Sequence, residues 1–168
     1  MAATLKFIHA SDLHLDQPMS GLTEIPTHLY QVLANAPYEA AAKIFDLAIS
    51  ERVDFVLLAG DLYDSESGNA RAAAFLLSQF ERLANKGIAI YWCGGESDHP
   101  DRWPAAIELP DNVITFSSRV VEEVNHERDG VTVARIMGCG YDSTHRRTAG
   151  DFSTPKSELY TIALARRV

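Results

Sequence analysis

The chain has 168 residues, 46% hydrophobic and 23% charged, an ordinary globular composition that excludes a disordered chain, a collagen-like fibre and a coiled-coil rod. With 15 Lys and Arg against 23 Asp and Glu the formal net charge is −8, so any chemistry on phosphate needs a local cation, and a bound metal ion is the obvious one. Cys93 and Cys139 are the only cysteines, too few for a disulfide framework. The start of the chain does not read as a secretory signal, and no apolar run approaches the roughly 20 residues that span a membrane. The expectation is a soluble cytoplasmic protein with a single domain over 1–168.

Residues 5–10 form a short apolar run that stops at Ser11-Asp12 and predict a buried strand. Residues 17–27, with Pro18, Gly21 and Pro26, predict a loop. Ala41, Ile44, Phe45, Ala48 and Ile49 recur at helical spacing and predict a helix over 38–52. A second buried strand is predicted over 53–59, ending at Gly60-Asp61. A helix over 69–86 follows, with Gly87 where a C-cap glycine belongs. A third strand spans 88–93 and ends at Gly94-Gly95. This alternation implies parallel strands joined by helical crossovers. Shorter strands are predicted over 112–116, 119–126 and 131–138, the last two joined by the hairpin signal Glu127-Arg128-Asp129-Gly130. Residues 144–156 predict a loop, and 159–165 one more strand.

In open α/β sheets ligands sit outside the carboxyl ends of the strands. Here those ends read Ser11-Asp12-Leu13-His14-Leu15-Asp16, then Gly60-Asp61-Leu62-Tyr63-Asp64, then Gly94-Gly95-Glu96-Ser97-Asp98-His99. A single Asp after a strand is often only a turn former. Three converging acidic ends repel one another unless a cation sits between them. Carboxylate with imidazole suits a divalent ion such as manganese, iron or zinc. Asp12 and His14, two apart, project to the same side in extended backbone and suit a shared ion.

Asp12-Leu13-His14 resembles the D-x-H motif, and Gly60-Asp61-Leu62-Tyr63-Asp64 the G-D-x-x-D motif, of the calcineurin-like metallophosphoesterases. The wording FIHASDLHLD, VDFVLLAGDLYD and IELPDNVITF resembles the DNA-repair exonuclease branch of that superfamily. The resemblance implies an α/β sandwich of mixed sheets with flanking helices, and leaves open an incomplete second sheet. It implies Asp12 and His14 as ligands of a first metal and Asp61 as the ligand bridging two. Asp64 takes a supporting place, and Asp16 has no assigned role.

The family's third motif, G-N-H-D or G-N-H-E, is altered. Aligned from Gly95, Glu96 takes the Asn place and Ser97 the His place; aligned back from Pro100, Ser97 and Asp98 take them. Glu96 and Asp98 are then candidate metal ligands, and His99 a candidate phosphate-facing imidazole. Where the family has a His after a late strand this chain has Ala165-Arg166-Arg167, and no G-H-x-H occurs. His9 reads as packed in a strand, and His28, His126 and His145 as surface. Fewer imidazoles and an added carboxylate favour manganese, with magnesium, iron and zinc as alternatives, and one ion rather than two. Three explanations stay open: an N-terminal portion of a longer domain, a natural short homologue, or ligands supplied by a second subunit.

The basic residues are scattered, with clusters only at His145-Arg146-Arg147 and Arg166-Arg167. Trp103 is either a base-stacking platform or an aromatic packed on its own loop. The function implied is metal-dependent hydrolysis of phosphodiester bonds, DNA among the substrates, with reduced activity. The alternatives are a non-catalytic metal-binding or scaffolding module on the same fold and a small-molecule phosphodiesterase. No membrane partner is expected. The exposed edge of an incomplete sheet predicts a homodimer.

Overall fold

The computed structural model describes residues 4–17, 25–66 and 70–166. Strand β1 is Phe7–Ala10, helix α1 Thr27–Ser50, β2 Phe55–Ala59, α2 Ala70–Ala84 and β3 Ala89–Cys93. Four strands follow: β4 Val113–Phe116, β5 Glu122–Arg128, β6 Val131–Cys139 and β7 Tyr160–Ala165. Short 3₁₀ turns occupy Pro100–Arg102 and Ala149–Phe152. Strands β1-β2-β3-β4 form an all-parallel sheet, and β5-β6-β7 a second sheet in which β5 runs antiparallel and β7 parallel to β6. The fold is therefore the expected mixed α/β sandwich.

The central strands of the parallel sheet are covered on both faces, which is why β2 and β3 read as continuous apolar runs rather than alternating ones, whereas the edge strand β1 is only partly buried. Val56, Leu58, Ile90 and Trp92 pack against Phe45 and Ala48 of α1 and Leu76, Phe80 and Leu83 of α2. Their neighbours Phe55, Leu57, Tyr91 and Cys93 face the other way, onto Ala134, Ile136 and Leu164 of the second sheet. The sheet is thus the middle layer, and its strand ends open at the rim between helices and second sheet.

Helix α1 begins at Thr27, well before the position predicted, and runs through Pro37. Its first turns carry the exposed side chains Leu29, Tyr30 and Val32, which supply no core-facing stripe to signal a helix. The predicted loop over 17–27 falls largely on residues 18–24, outside those described. Gly87 adopts φ +66° at the end of α2, as its C-cap place requires. Asp129 and Gly130 both take positive φ at the tip of the β5–β6 hairpin, the type I′ preference of an Asp-Gly pair. No described helix is long and apolar enough to cross a membrane.

Candidate metal centre

Past the ends of β1 and β2 the two loops stay zipped. Asp12 N–H donates to the Gly60 carbonyl at 3.0 Å, His14 N–H to that of Asp61 at 3.1 Å, and Leu15 N–H to that of Leu62 at 3.0 Å. Within this ladder Asp12 (φ 58°), His14 (φ 44°) and Asp61 (φ 54°) all sit in the left-handed region. Such residues cost on the order of 1–3 kcal/mol each and cluster at functional sites. The extended backbone expected to align Asp12 with His14 is thus absent. The left-handed turns align them instead: the His14 Nε2 lies 3.7 Å from Asp12 Oδ1.

Asp12, His14 and Asp61 each offer one ligand atom, all within 4.8 Å of one another. One imidazole and two carboxylates in this span fit a divalent ion such as manganese, iron or zinc. The cluster already holds a cation, which sequence reasoning missed. Arg166, directly after β7, donates from Nη1 to Asp12 Oδ2 and from Nη2 to Asp12 Oδ1, both at 2.7 Å. Its Nη2 also contacts Asp61 Oδ2. The Arg166 guanidinium and a bond from Ser11 hold the Asp12 carboxyl down to about 2, and the two carboxylates raise the Arg166 pKa in return. The one available signal was that Arg166 stands where a ligand histidine was looked for.

The third loop divides its candidates. Asp98 is fully buried and points away from the cluster, into the backbone. Its Oδ1 accepts Asp61 N–H (2.8 Å) and Gly95 N–H (2.7 Å), and its Oδ2 accepts Leu62 N–H (3.0 Å) and the Trp92 indole N–H (3.2 Å). A carboxylate has about four acceptor sites, so none is left for a metal. The reading of Asp98 as a ligand is corrected accordingly. Burial pushes its carboxyl up, while the backbone N–H groups work against that shift. Glu96 is exposed at the rim and is not among the three converging residues. The His99 Nδ1 accepts the Asp101 N–H at 3.2 Å and so caps the turn Pro100–Arg102. That bond leaves Nε2 as the proton-bearing nitrogen of the neutral ring. Asp64 lies on the same rim, its N–H held by both oxygens of Asp16 at 3.0 and 3.1 Å.

Glu96, Ser97, His99 and Asp64 line a cleft of about 620 Å³. A second cleft of about 750 Å³ shares its Tyr141–Asp142 wall and is lined by His145, Arg146, Arg147 and Arg166. Arg166 thus shares one groove with His145, Arg146 and Arg147, while Arg167 of the second basic cluster lies outside the described residues. Arg147 is committed there to the Ser118 and Arg119 carbonyls. Trp103 packs edge-on against Trp92 and Tyr63, with its indole N–H on the Ile107 carbonyl at 2.8 Å, so it serves its own loop. His126, expected at the surface, is buried, with its Nδ1 bonded to the Tyr91 hydroxyl at 3.0 Å.

The calcineurin-like phosphoesterase family profile matches residues 5–154. The chain is 40% identical over 143 residues to the uncharacterized metallophosphoesterase YhaO of Bacillus subtilis, a match covering 85% of this chain and 35% of that protein. It is 25% identical over 124 residues to the DNA double-strand break repair protein Mre11 of Saccharolobus solfataricus, covering 74% of this chain and 30% of that one. The corresponding Mre11 of Methanococcus maripaludis is 30% identical over 96 residues, 57% of this chain and 24% of that one. The chain thus spans about a third or less of the length of these curated relatives.

Proposed function

Since the chain belongs to the calcineurin-like phosphoesterase family, we propose that it carries a metal-dependent phosphodiesterase site of reduced activity, with DNA as the substrate class. The observation that carries this reading is the convergence of Asp12, His14 and Asp61, each in strained left-handed backbone, at the ends of parallel strands. These three hold a single divalent ion, manganese by preference, with magnesium, iron and zinc as alternatives. A bound ion supplies Lewis acidity toward a phosphate oxygen and lowers the pKa of water. On the neighbouring cleft Glu96 is a further carboxylate available to the ion, and His99 faces the phosphate as an Nε2–H donor. Asp64 supports the rim between them. The basic groove along Arg146 and Arg166 supports a polyanionic substrate against a net charge of −8.

Activity is reduced because Glu96 and Ser97 stand in a loop where relatives of this type carry Asn and His. The buried Asp98 and the close fit of Gly95 under Gly60 support the register that starts at Gly95. The proposal includes a single domain over 1–168 in the cytoplasm, for which the two free, buried cysteines speak. It also includes a homodimer formed through the outer edge of β7, which pairs only with β6 among the described strands. A monomer in light scattering at high concentration removes the dimer.

The test is hydrolysis of an aryl phosphodiester and of DNA ends with manganese, wild type beside Asp61→Asn. Activity lost in the variant and higher on DNA ends supports the reading. Equal activity in both refutes it. The engagement of Arg166 with two of the three ligands favours a second reading, a non-catalytic metal-binding or scaffolding module. Metal binding without turnover of either substrate selects it. Turnover of the small diester alone selects a small-molecule phosphodiesterase.

A further inference from the structure

The cation on the acidic cluster belongs to the chain itself. Arg166 is 154 residues from Asp12 and 105 from Asp61, yet its side chain spans both, only 19% exposed. The guanidinium fork matches the Asp12 carboxylate oxygen for oxygen, the geometry in which Arg–carboxylate pairs are strongest. Its third contact, to Asp61 Oδ2, is made by the same nitrogen that holds Asp12 Oδ1. Both oxygens of Asp12 and one of Asp61 are thereby occupied. These are the donors that a divalent ion needs from the two residues. Charge repulsion between the guanidinium and a divalent ion at this range opposes their sharing these carboxylates.

We propose that Arg166 is a resident counter-ion that covers Asp12 and Asp61 and must leave them for a divalent ion to bind. The inference rests on the metal-site reading above. It makes Arg166 a determinant of metal affinity and not a ligand. In the metal-free protein the guanidinium offsets the repulsion between two carboxylates held by strained backbone. When an ion enters, the side chain swings toward the adjoining groove, where it joins Arg146 and His145. The apparent affinity for the ion is then the intrinsic affinity reduced by the fraction of molecules in which Arg166 has moved off. A site covered nine-tenths of the time binds about tenfold more weakly than the same site uncovered.

The test is calorimetric titration of the full chain with manganese alone, for wild type, Arg166→Gln and Arg166→Met. The Met variant keeps the aliphatic stem, so if one variant misfolds by circular dichroism the other decides. The expected result is a Kd about tenfold or more tighter in the variants, together with a lower melting temperature in EDTA that manganese restores. Loss of a merely structural contact would loosen the site and weaken binding, the opposite sign. Equal or weaker binding in the variants overturns the role of Arg166 and leaves the metal site standing. Absence of binding in wild type and variants alike overturns both.

Discussion

Replacing Asp98 by Ala separates its structural role from a place in the metal shell. The carboxylate is fully buried and receives four N–H donors between 2.7 and 3.2 Å. Removing it orphans three backbone amides and one indole in a site with no other acceptor assigned to them. Each unsatisfied buried donor costs about 1–3 kcal/mol. Partial relaxation and entry of water into the space left behind bring the sum down, to about 4 kcal/mol, near the upper end for single substitutions. Against a typical total of about 5–15 kcal/mol that is a large share. The assay is urea denaturation in EDTA, with midpoint and slope compared to wild type. Performing it without metal is essential, because a metal ligand stabilises only when the ion is present. Glu96→Ala, at an exposed neighbour two residues away, stays within about 0.5 kcal/mol in the same assay. A loss below about 1 kcal/mol for Asp98→Ala in EDTA, or one that appears only with metal, refutes the reasoning.

Two further outcomes follow from single contacts. Burial holds the His126 imidazole below its ordinary 6.5, against the pull of Asp54 and with Arg128 adding to the depression. The unfolded chain therefore takes up this proton first as pH falls. The contribution of His126 to stability is full above about pH 6.5 and declines as pH drops toward the folded-state value; chemical denaturation across pH 5–8 on wild type and His126→Gln reads it as a slope that the variant lacks. Gly60 has φ +78°, and a Cβ there would lie 2.5 Å from the Gly95 backbone nitrogen. Gly60→Ala is expected to cost about 2–4 kcal/mol through strain and overpacking, measured by thermal melting, and a neutral result disproves the close approach of the two loops.

Much of this arrangement was legible in the sequence because burial writes itself into composition. Strands β2 and β3 are covered on both faces, so their apolar runs were continuous and bounded by glycine. Gly87 and the Asp129-Gly130 pair announced their turns through the backbone conformations they permit. The first half of α1 was illegible because its exposed face carries no periodic stripe and Pro37 looks like a boundary. At the site, Asp12, His14 and Asp61 could be found as strand-end residues, but their left-handed backbone could not. Nor does an acidic loop reveal which of its carboxylates faces inward: Glu96 and Asp98 differ only in direction. Arg166 was invisible for a plainer reason. Its partners lie more than a hundred residues away, and a pair of arginines beside a strand resembles solvated surface.

The inward and outward carboxylates are coupled, and that coupling explains how the strain is held. Asp98 accepts the N–H of Asp61, fixing the left-handed turn from which the Asp61 side chain faces Asp12 and His14. Asp16 accepts the N–H of Asp64 and so ties the β2 loop to the β1 loop. The turn that carries Asp61 is thus held by a carboxylate that faces the backbone, while of the three strained residues Asp12 and Asp61 gain the Arg166 pairing and His14 does not. His14 is the clearest case: its φ is 44°, its side chain is 39% exposed, and its nearest charged partner is 3.7 Å away. Glycine at that position relieves about 1–2 kcal/mol of left-handed strain. It also loosens the unfolded chain by about 0.5–1 kcal/mol. His14→Gly is therefore expected to leave metal-free stability unchanged or to raise it by up to about 1 kcal/mol, while manganese binding measured by calorimetry is lost. Such a trade of stability for a ligand is what a functional residue in strained backbone predicts. A variant destabilised by more than about 2 kcal/mol in EDTA would instead make His14 a packing residue, and the convergence of the three side chains would then be a consequence of folding and not its purpose.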